Sequence, residues 1–455
     1  KKMKLSLSWI KGFVNIPEDM DLKQLAYDLT MSTVEVEDVE DLARRFDNMV
    51  VGVIEKIEAH PNADKLRVCK VDIGDGEIKD IVCGGINLEE GMRVAVSCPG
   101  AVVRWHGEGE PVVIKNSKLR GVESYGMICA SDEIGLGDLF PAEREAEILD
   151  LSAFDVPAGT PLADALDMND VLLEIDNKSM TNRPDLWGHY GIAREIAALY
   201  NLKLKEIEPF ETDVQSDFHV EILDPDRCTR YIGVEMSGVA VKPSPYKMQN
   251  RIWKAGMRPI NALVDITNYV MLATGNPTHA FDADNITDHI VVRHAAEGEK
   301  LVLLNDKELS LCPDDLVITD SEGPVALAGV MGGAKDSILP KTQRVILEVA
   351  NFEAAGIRRT ALRYDTRTEA SSRYEKAIDP ERCDQALALS MKYFRELYPE
   401  LKVTGYCDQY VKKLEKAQID VSLTWLEKRL GKHLTEDEIQ GCLGRLGFEV
   451  AISGD

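Results

Sequence analysis

The chain has 455 residues, of which 44% are hydrophobic and 29% charged, a composition typical of folded proteins rather than disordered ones. That length predicts about three or four domains. The formal net charge of −25 argues against nucleic-acid binding over the whole surface but is compatible with a local basic groove.

Membrane insertion, export and metal binding are not indicated. No apolar run reaches the roughly 18 residues of a membrane-spanning helix, and the N-terminus lacks the apolar stretch and cleavage site of a signal peptide. The 9 cysteines are scattered and form no C-x-x-C pair, so neither a zinc site nor a disulfide framework is predicted. We therefore expect a cytoplasmic protein.

The two outer parts of the first region have α/β character. The apolar alternation in MKLSLSWI indicates a strand that continues to its tryptophan, and Asp21 is placed to cap the helix that follows. Similar character returns in residues 152–205, where Pro184 lies near a predicted helix start. Residues 1–40 and 152–205 are therefore predicted to form one discontinuous domain around an inserted one.

Residues 41–151 consist of short strand patterns separated by Gly, Pro, Asn and Asp. The predicted strands are VVGVIEKIEAH, LRVCKVDIG, IKDIVCG, MRVAVSCPGAVV and ESYGMICAS. A hairpin is expected at Gly74–Glu77. The apolar alternation slips by one residue between Val68 and Val71, as a β-bulge in a tightly coiled sheet requires. These features predict a five-stranded barrel as the inserted domain.

The next region, residues 210–405, mixes helices with β-hairpins. Asn261 is expected to cap a helix that ends at Gly275, several hairpins and the strand VILEVANF follow, and Asp379 precedes a last helix. Residues 413–455 predict a helix, a turn, a second helix and a strand, and we expect the sequence to stop within that domain.

Two residues of this region could carry chemistry. Glu348 lies inside the apolar run VILEVA, which is typical of a strand covered on both faces. A buried carboxylate costs several kcal/mol unless it is compensated, so either this face is open to water or Glu348 is an acceptor awaiting a ligand's donor. His279, in NPTHAFD, is either a structural hydrogen-bonding residue or part of a site. No His or Cys lies nearby at metal-ligand spacing.

Weaker signals surround these two residues. Thr267 and Asn268 lie on the capped helix, where packing explains them as well as a site does. The Gly332–Gly333 pair permits either a close approach of a ligand or a plain tight turn. The stretch RRTALRYDTRTEASSRYEKAIDP forms either a solvated face or a contact for a nucleic-acid end. No phosphate-binding loop, dinucleotide motif, H-E-x-x-H or nucleophile elbow is present, so single motifs assign no reaction.

Taken in order, however, the motifs resemble the β subunits of bacterial phenylalanyl-tRNA synthetase over essentially the whole chain. The matching stretches are MKLSLSWIK, HPNADKLRVCKVDIG, KLRGVESYGMICASDEIGL, NRPDLWGHYGIAREIA, INALVDITNYVMLATGNPTHAFD, ALAGVMGG, VILEVANF and RTEASSRYEKAIDPER.

The resemblance implies an α+β multidomain fold. An OB-type tRNA-binding barrel would be inserted in the small α/β domain and followed by an editing domain and the start of a winged-helix-like domain. The family's β chains are longer, and their magnesium ligands fall beyond Asp455, so no metal is assigned here. ATP-dependent synthesis belongs to the α subunit of an (αβ)₂ assembly, so this chain alone is not expected to charge tRNA.

The activity implied for this chain is hydrolysis of tyrosyl-tRNA made in error. A pocket shaped for Phe rejects a side chain with one added hydroxyl by only about 10²-fold, so a second site is needed. The resemblance assigns catalytic roles to His279, Thr267 and Asn268. It places Glu348, Gly333, Thr368 and Ala370 in the substrate pocket, with Glu348 accepting the tyrosine hydroxyl. The alternative is a noncatalytic tRNA-binding scaffold.

The barrel is the expected tRNA contact, although its acidic residues outnumber its basic ones. Its candidate cations are Lys65, Arg67, Lys115, Lys118 and Arg120. These side chains either touch the tRNA backbone or are ordinary surface charges. A free-standing tRNA-binding module is a further alternative, which the acidic balance disfavours.

Overall fold

The computed structural model describes residues 2–454, so the outermost positions of the first and last predicted domains lie outside the described residues. The chain forms two compact units. One contains the stretch that ends at Glu37, Glu174–Ala255 and the residues from Ile260 onward. The other contains Asp38–Leu173 and Gly256–Pro259.

The second unit is built on one antiparallel sheet. In spatial order its strands are Met127–Ile128, Arg93–Ser97, Met49–Ala59, Arg67–Asp72 and Ile78–Cys83. All five predicted strands are in this sheet, and the predicted hairpin joins two of them. The backbone N–H of Tyr125 donates to the carbonyl of Asp80 at 2.8 Å, which brings the end of the sheet back towards its other edge. The sheet is therefore nearly closed and barrel-like.

The expected β-bulge is present, but on a different strand. The register shifts between Ile54 and Lys56, so that Ile54 pairs with Val71 while Lys56 pairs with Lys70. The extra residue, Glu55, lies opposite the strand in which the apolar alternation slips. The prediction that placed the bulge between Val68 and Val71 is therefore wrong about which strand carries it. A bulge changes the direction of side chains on both paired strands, so the slip in alternation also appears opposite the extra residue.

Smaller elements complete the second unit. Two hairpins pair Val102–Val103 with Val112–Val113 and Ser117–Leu119 with Val122–Ser124. A short helix spans Leu162–Ala165. The 3₁₀ turns of the described chain are Leu42–Phe46, Trp105–Gly107, Asp132–Ile134, Asn177–Met180, Pro184–Leu186 and Ala283–Asn285.

A three-stranded sheet has the order Met3–Ser6, Val171–Ile175 and Val36–Asp41. The first unit also contains the helices Leu7–Ile10, Leu22–Ser32 and His189–Tyr200.

The strand predicted from MKLSLSWI ends earlier than expected. The side chain of Ser6 accepts a hydrogen bond from the N–H of Trp9 and so caps the helix Leu7–Ile10. The indole of Trp9 is buried in a stack with His189 and Tyr269, at ring-centroid distances of 3.9 and 4.3 Å. The alternating apolar pattern therefore gave the wrong structure beyond Ser6. The predicted cap at Asp21 is confirmed.

Two sheets form the centre of the first unit. The four-stranded sheet has the order Thr278–Asp282, Arg344–Phe352, Cys228–Ser237 and Lys402–Tyr410. The five-stranded sheet has the order Val220–Ile222, Ile290–His294, Leu316–Asp320, Gly323–Leu327 and Met331–Gly332. A separate hairpin pairs Lys300–Val302 with Glu308–Ser310. Side chains of both sheets, including Tyr231, Phe281, Ile318 and Leu327, share one hydrophobic core.

The helices of this unit follow their end signals closely. They span Tyr246–Lys254, Ala262–Thr274, Ala354–Arg363, Glu369–Tyr374, Arg382–Leu397, Leu423–Leu430 and Glu436–Arg445. Asn261 caps the second of these through the N–H of Val264, and Gly275 ends it with a φ of 79°. The predicted last strand is wrong, since no described residue after Arg445 is in a strand. Within residues 2–454 no helix combines the length and apolarity needed to cross a membrane.

Candidate functional site

A small cavity of about 60 Å³ lies among the two central sheets and the helix Glu369–Tyr374. It is lined by Pro277, Thr278, His279, Ile318, Ala326, Leu327, Ala328, Gly329, Val330, Met331, Gly332, Glu348, Ala370 and Tyr374. Most of these groups are apolar or backbone, so a polar ligand would meet few side-chain partners. The carboxyl of Glu348 and the imidazole of His279 are the main ones.

Glu348 is held in the middle of the strand Arg344–Phe352. It pairs directly with His279 on one neighbouring strand and with Gly233 on the other. The residue is 6% exposed. The hydroxyl of Tyr231 donates to its Oε2 at 2.7 Å, whereas Oε1 accepts no hydrogen bond from residues 2–454. Of the two alternatives left open by the sequence, burial is therefore confirmed, and one acceptor oxygen remains available.

Burial also changes the protonation of this carboxyl. Desolvation raises the pKa of Glu348 to about 7, and the hydrogen bond from Tyr231 opposes that rise. The group therefore changes charge near neutral pH, and above that value it is a carboxylate with a free oxygen in a largely apolar cavity.

His279 lies beside this carboxyl on the adjacent strand. Its ring packs edge-to-face on Phe281, with centroids 4.6 Å apart. It also lies over Gly332, where a Cβ atom would be 2.6 Å from the imidazole Cε1. Burial lowers the pKa of His279 to about 4, so the ring is neutral at physiological pH. Within residues 2–454 neither ring nitrogen has a hydrogen-bond partner, which leaves both available to a ligand or water.

Two other predicted pocket residues lie at the border of the cavity. Ala370 lines it. Thr368 does not line it, but its Oγ1 donates to the carbonyl of Val330 at 2.8 Å and so anchors the helix Glu369–Tyr374 against a lining residue.

Gly333, Thr267 and Asn268 are not among the lining residues. A Cβ on Gly333 would lie 2.3 Å from the carbonyl oxygen of Val325, so that side of the glycine is filled by backbone rather than open to a ligand. The hydroxyl of Thr267 donates to the carbonyl of Val264. The carbonyl of Thr267 accepts a hydrogen bond from Thr278 Oγ1 at 3.1 Å. Thr267 thus reaches the cavity through a lining residue, and Asn268 is half-buried on the same helix.

Most lining residues were not predicted from the sequence, and three missed residues matter for the argument: Tyr231, Gly332 as the lining member of its pair, and Tyr374. A buried tyrosine hydroxyl almost always needs a partner, and this would have marked Tyr231 as a residue to examine. Its partner, however, is 117 positions away along the chain, so only the strand register identifies it.

The five candidate cations of the second unit are all exposed. His60 Nε2 bonds to the carbonyl of Leu119, and Asn62 Nδ2 donates to the carbonyl of Arg120, both at 3.0 Å. These bonds hold the HPNADKLR loop against the hairpin around KLRG. The segments that carry four of the five cations, Lys65 and Arg67 on one and Lys118 and Arg120 on the other, are therefore joined. Lys115 precedes the hairpin.

Two of these cations contact acceptor groups of the protein itself. Lys118 lies 3.7 Å from a carboxylate oxygen of Glu123, and Arg67 donates to the backbone carbonyls of Asp64 and Leu66. The local surface is therefore of mixed charge. As for metals, residues 2–454 contain no group of three or more His, Cys, Asp or Glu side chains arranged to hold an ion.

Comparison with protein families gives two matches. Residues 227–399 match the family described as "B3/4 domain", and this range contains every lining residue of the cavity. Residues 49–160 match the family described as "Putative tRNA binding domain", and this range contains the five cations.

Relatives match over the full chain. The phenylalanine–tRNA ligase β subunit of Oceanobacillus iheyensis is 38% identical, and the match covers 99% of this chain and 56% of that protein. The same subunit of Halalkalibacterium halodurans is 38% identical, with 100% and 56% covered. The chain thus spans about half the length of these relatives. A solved N-terminal fragment of the phenylalanyl-tRNA synthetase β subunit from Pyrococcus horikoshii is 19% identical, covers 63% of this chain and 79% of that one, and has a TM-score of 0.32.

Proposed function

The chain belongs to the phenylalanine–tRNA ligase β-subunit family, and from this premise we propose that its cavity hydrolyses tyrosyl-tRNA while its barrel-like sheet contacts the tRNA. Ligation itself, with its ATP and magnesium, is assigned to the complete cytoplasmic (αβ)₂ enzyme and to its α subunit. The observation that carries the proposal is Glu348, a buried carboxyl that lines a small, largely apolar cavity and whose Oε1 accepts no hydrogen bond from the described part of the chain, residues 2–454.

Selectivity for tyrosine follows from the cost of an unpaired buried acceptor. A tyrosine side chain would donate its hydroxyl to Oε1 of Glu348, whereas phenylalanine would cover that oxygen without a partner. A hydrogen bond to a charged group is worth about 1.5–3 kcal/mol, or about 10- to 100-fold in binding. An apolar synthetic pocket rejects an added hydroxyl only weakly, whereas a pocket with a buried acceptor strongly rejects a side chain that lacks the hydroxyl.

Hydrolysis requires a positioned water and a receiver for one proton. Water attacks the ester carbonyl, the bond to the tRNA 3′ oxygen breaks, and the proton passes to that oxygen, so that tyrosine and tRNA leave. His279 is neutral and hydrogen-bonds the water or the ester end. Thr267 supports this arrangement through Thr278, and Asn268, the next residue of the same helix, is assigned to the catalytic group with it. The substrate's own groups complete the proton transfer.

The wider arrangement is part of the same proposal. We assign an OB-type tRNA-binding domain at residues 41–151, inserted in an α/β domain of residues 1–40 and 152–205. The B3/B4-type editing domain takes residues 210–405, and residues 413–455 begin a winged-helix-like (B5-type) domain. The matched family ranges, 49–160 and 227–399, support the assignments of residues 41–151 and 210–405.

The decisive experiment measures release of tyrosine and phenylalanine from the corresponding aminoacyl-tRNAs. It compares the unchanged chain, Glu348→Ala and the matched control Glu235→Ala, whose carboxylate lies on a strand of the same sheet and pairs with Arg344. Each protein is assayed alone and after reconstitution with the rest of the ligase. Faster release of tyrosine that is lost only in Glu348→Ala supports the proposal. Absence of tyrosine release in both settings overturns it and leaves the noncatalytic tRNA-binding scaffold.

A further inference from the structure

Tyr231 is placed to control how Glu348 meets a ligand. It lies on the strand Cys228–Ser237, where it pairs with Ala350 and is therefore the diagonal neighbour of Glu348. Gly233, directly opposite Glu348, has no side chain to come between them. Tyr231 is fully buried and is not among the residues that line the cavity. Its hydroxyl is linked to the cavity through the carboxyl of Glu348, to which it donates.

The hydrogen bond from Tyr231 uses one of the two carboxylate oxygens. A free carboxylate could turn about its last bond and present either oxygen, or both, to a ligand. With Oε2 held by the Tyr231 hydroxyl at 2.7 Å, only Oε1 is left, and its direction is set by the sheet rather than by the ligand. Fixing an acceptor before binding lowers the entropy cost of using it.

We infer that Tyr231 is a positioning residue for substrate selection, which holds Glu348 so that a single oxygen is offered to the side-chain hydroxyl of the substrate. The inference rests on the proposed function of the cavity and adds to it. The competing interpretation is that Tyr231 only fills the core, where its ring packs with the hydrophobic residues of both sheets.

The pH dependence of selection separates these interpretations. The titratable groups around Glu348 are Tyr231 and Cys228 on one strand, His279 on the other and Tyr374 on the helix. Burial raises the pKa values of the two tyrosines and the cysteine well above their usual range and lowers that of His279 to about 4. Among these groups, Glu348 is therefore the one that changes charge near neutral pH.

The experiment measures binding of two non-hydrolysable ligands, adenosine carrying tyrosine or phenylalanine through a 3′ amide, from about pH 6 to about pH 9. The 455-residue chain is compared with Tyr231→Phe, Glu348→Gln and the control Tyr398→Phe. Tyr398, like Tyr231, is buried, and its hydroxyl donates to the backbone carbonyl of Ala240. Tyr398→Phe therefore removes one buried hydroxyl elsewhere in the same unit.

We expect the preference for the tyrosyl ligand to rise with pH in the unchanged chain and in Tyr398→Phe. In Tyr231→Phe the preference should fall about tenfold near neutral pH, and its midpoint should move to higher pH because the bond that lowers the pKa of Glu348 is gone. In Glu348→Gln it should be small and independent of pH.

Replacing Tyr231 by 3-fluorotyrosine gives a second, nearly isosteric test. Its more acidic hydroxyl should strengthen the bond and move the midpoint to lower pH, opposite to Tyr231→Phe. An unchanged midpoint in both variants, or an equal loss of affinity for both ligands, overturns the positioning role while the proposed function stands. If the unchanged chain shows no preference at any pH, the proposed function fails and the inference fails with it.

Discussion

The charged groups of the cavity and the five candidate cations of the second unit lie in opposite surroundings, one set buried and the other exposed. In the cavity, Glu348 and His279 are fixed by directly paired strands, and desolvation moves their pKa values to about 7 and about 4. In the second unit, the five candidate cations are exposed, and one of them, Lys118, lies 3.7 Å from a carboxylate oxygen of Glu123.

This difference decides how much one residue can matter. A buried, partly unpaired group carries its full desolvation cost, so a single substitution has a large effect. An exposed charge is screened by water and salt and contributes little alone. We therefore expect single-residue control of specificity in the cavity and collective, salt-dependent binding at the barrel-like sheet.

The largest effect is expected for Glu348→Gln on stability. In the folded chain Glu348 holds its proton up to about pH 7, whereas an unperturbed glutamate releases it near 4.5. The folded state binds more protons in that window, so its stability falls as pH rises from 4.5 to 7. The variant should lack this loss of about 3 kcal/mol. Urea unfolding of both proteins at the two ends of this pH window tests the prediction. The same change in the free energy of unfolding with pH in both proteins would show that Glu348 is not desolvated.

A large loss of activity is expected for Gly332→Ala. The new Cβ would lie 2.6 Å from the His279 ring, so the imidazole must move. Misplacement of a group at a reacting centre typically costs about 10- to 100-fold in rate. Tyrosyl-tRNA hydrolysis measures this, with Gly444→Ala as control, since that helical glycine has no atom within 4 Å of an added Cβ. Full activity in Gly332→Ala would remove His279 from the mechanism.

A smaller effect is expected for His60→Ala in the second unit. The ring bonds to the carbonyl of Leu119 and accepts from the N–H of Asn62, so its loss should release the loop from the hairpin. We expect tRNA affinity to fall about tenfold and the free energy of unfolding to fall by about 1–2 kcal/mol. Filter binding and chemical denaturation measure the two changes. Lower stability with unchanged affinity would mean that the joined segments are not the tRNA contact.

The smallest effect is expected for Lys118→Ala. Removal of one phosphate contact should weaken tRNA binding about threefold and reduce the slope of log K against log salt by about 1. Lys56→Ala is the matched control, because Lys56 is an exposed barrel lysine whose Nζ lies 2.8 Å from a carboxylate oxygen of Glu58. Equal slopes for the two variants would indicate general electrostatic attraction rather than a localised face.

The sequence correctly predicted the structural features that depend only on neighbouring residues. Asn261 and Gly275 mark the ends of their helix because capping needs only neighbouring residues. The five barrel strands followed from short alternating runs bounded by turn residues. The strand predicted from MKLSLSWI was wrong beyond Ser6 because the same alternation is compatible with a capped helical turn. Trp9 packs on rings that are far away in the sequence, such as that of His189.

The sequence by itself determined the family, the strands and helices with strong end signals, and the two main polar side chains of the cavity, Glu348 and His279. Only the tertiary structure decided that Glu348 is buried, that Tyr231 occupies one of its oxygens, that Gly332 rather than Gly333 lines the cavity, and that the segments carrying four of the candidate cations are joined. Residue type and spacing are properties of the chain. Desolvation and strand register arise only when segments far apart in sequence are packed together.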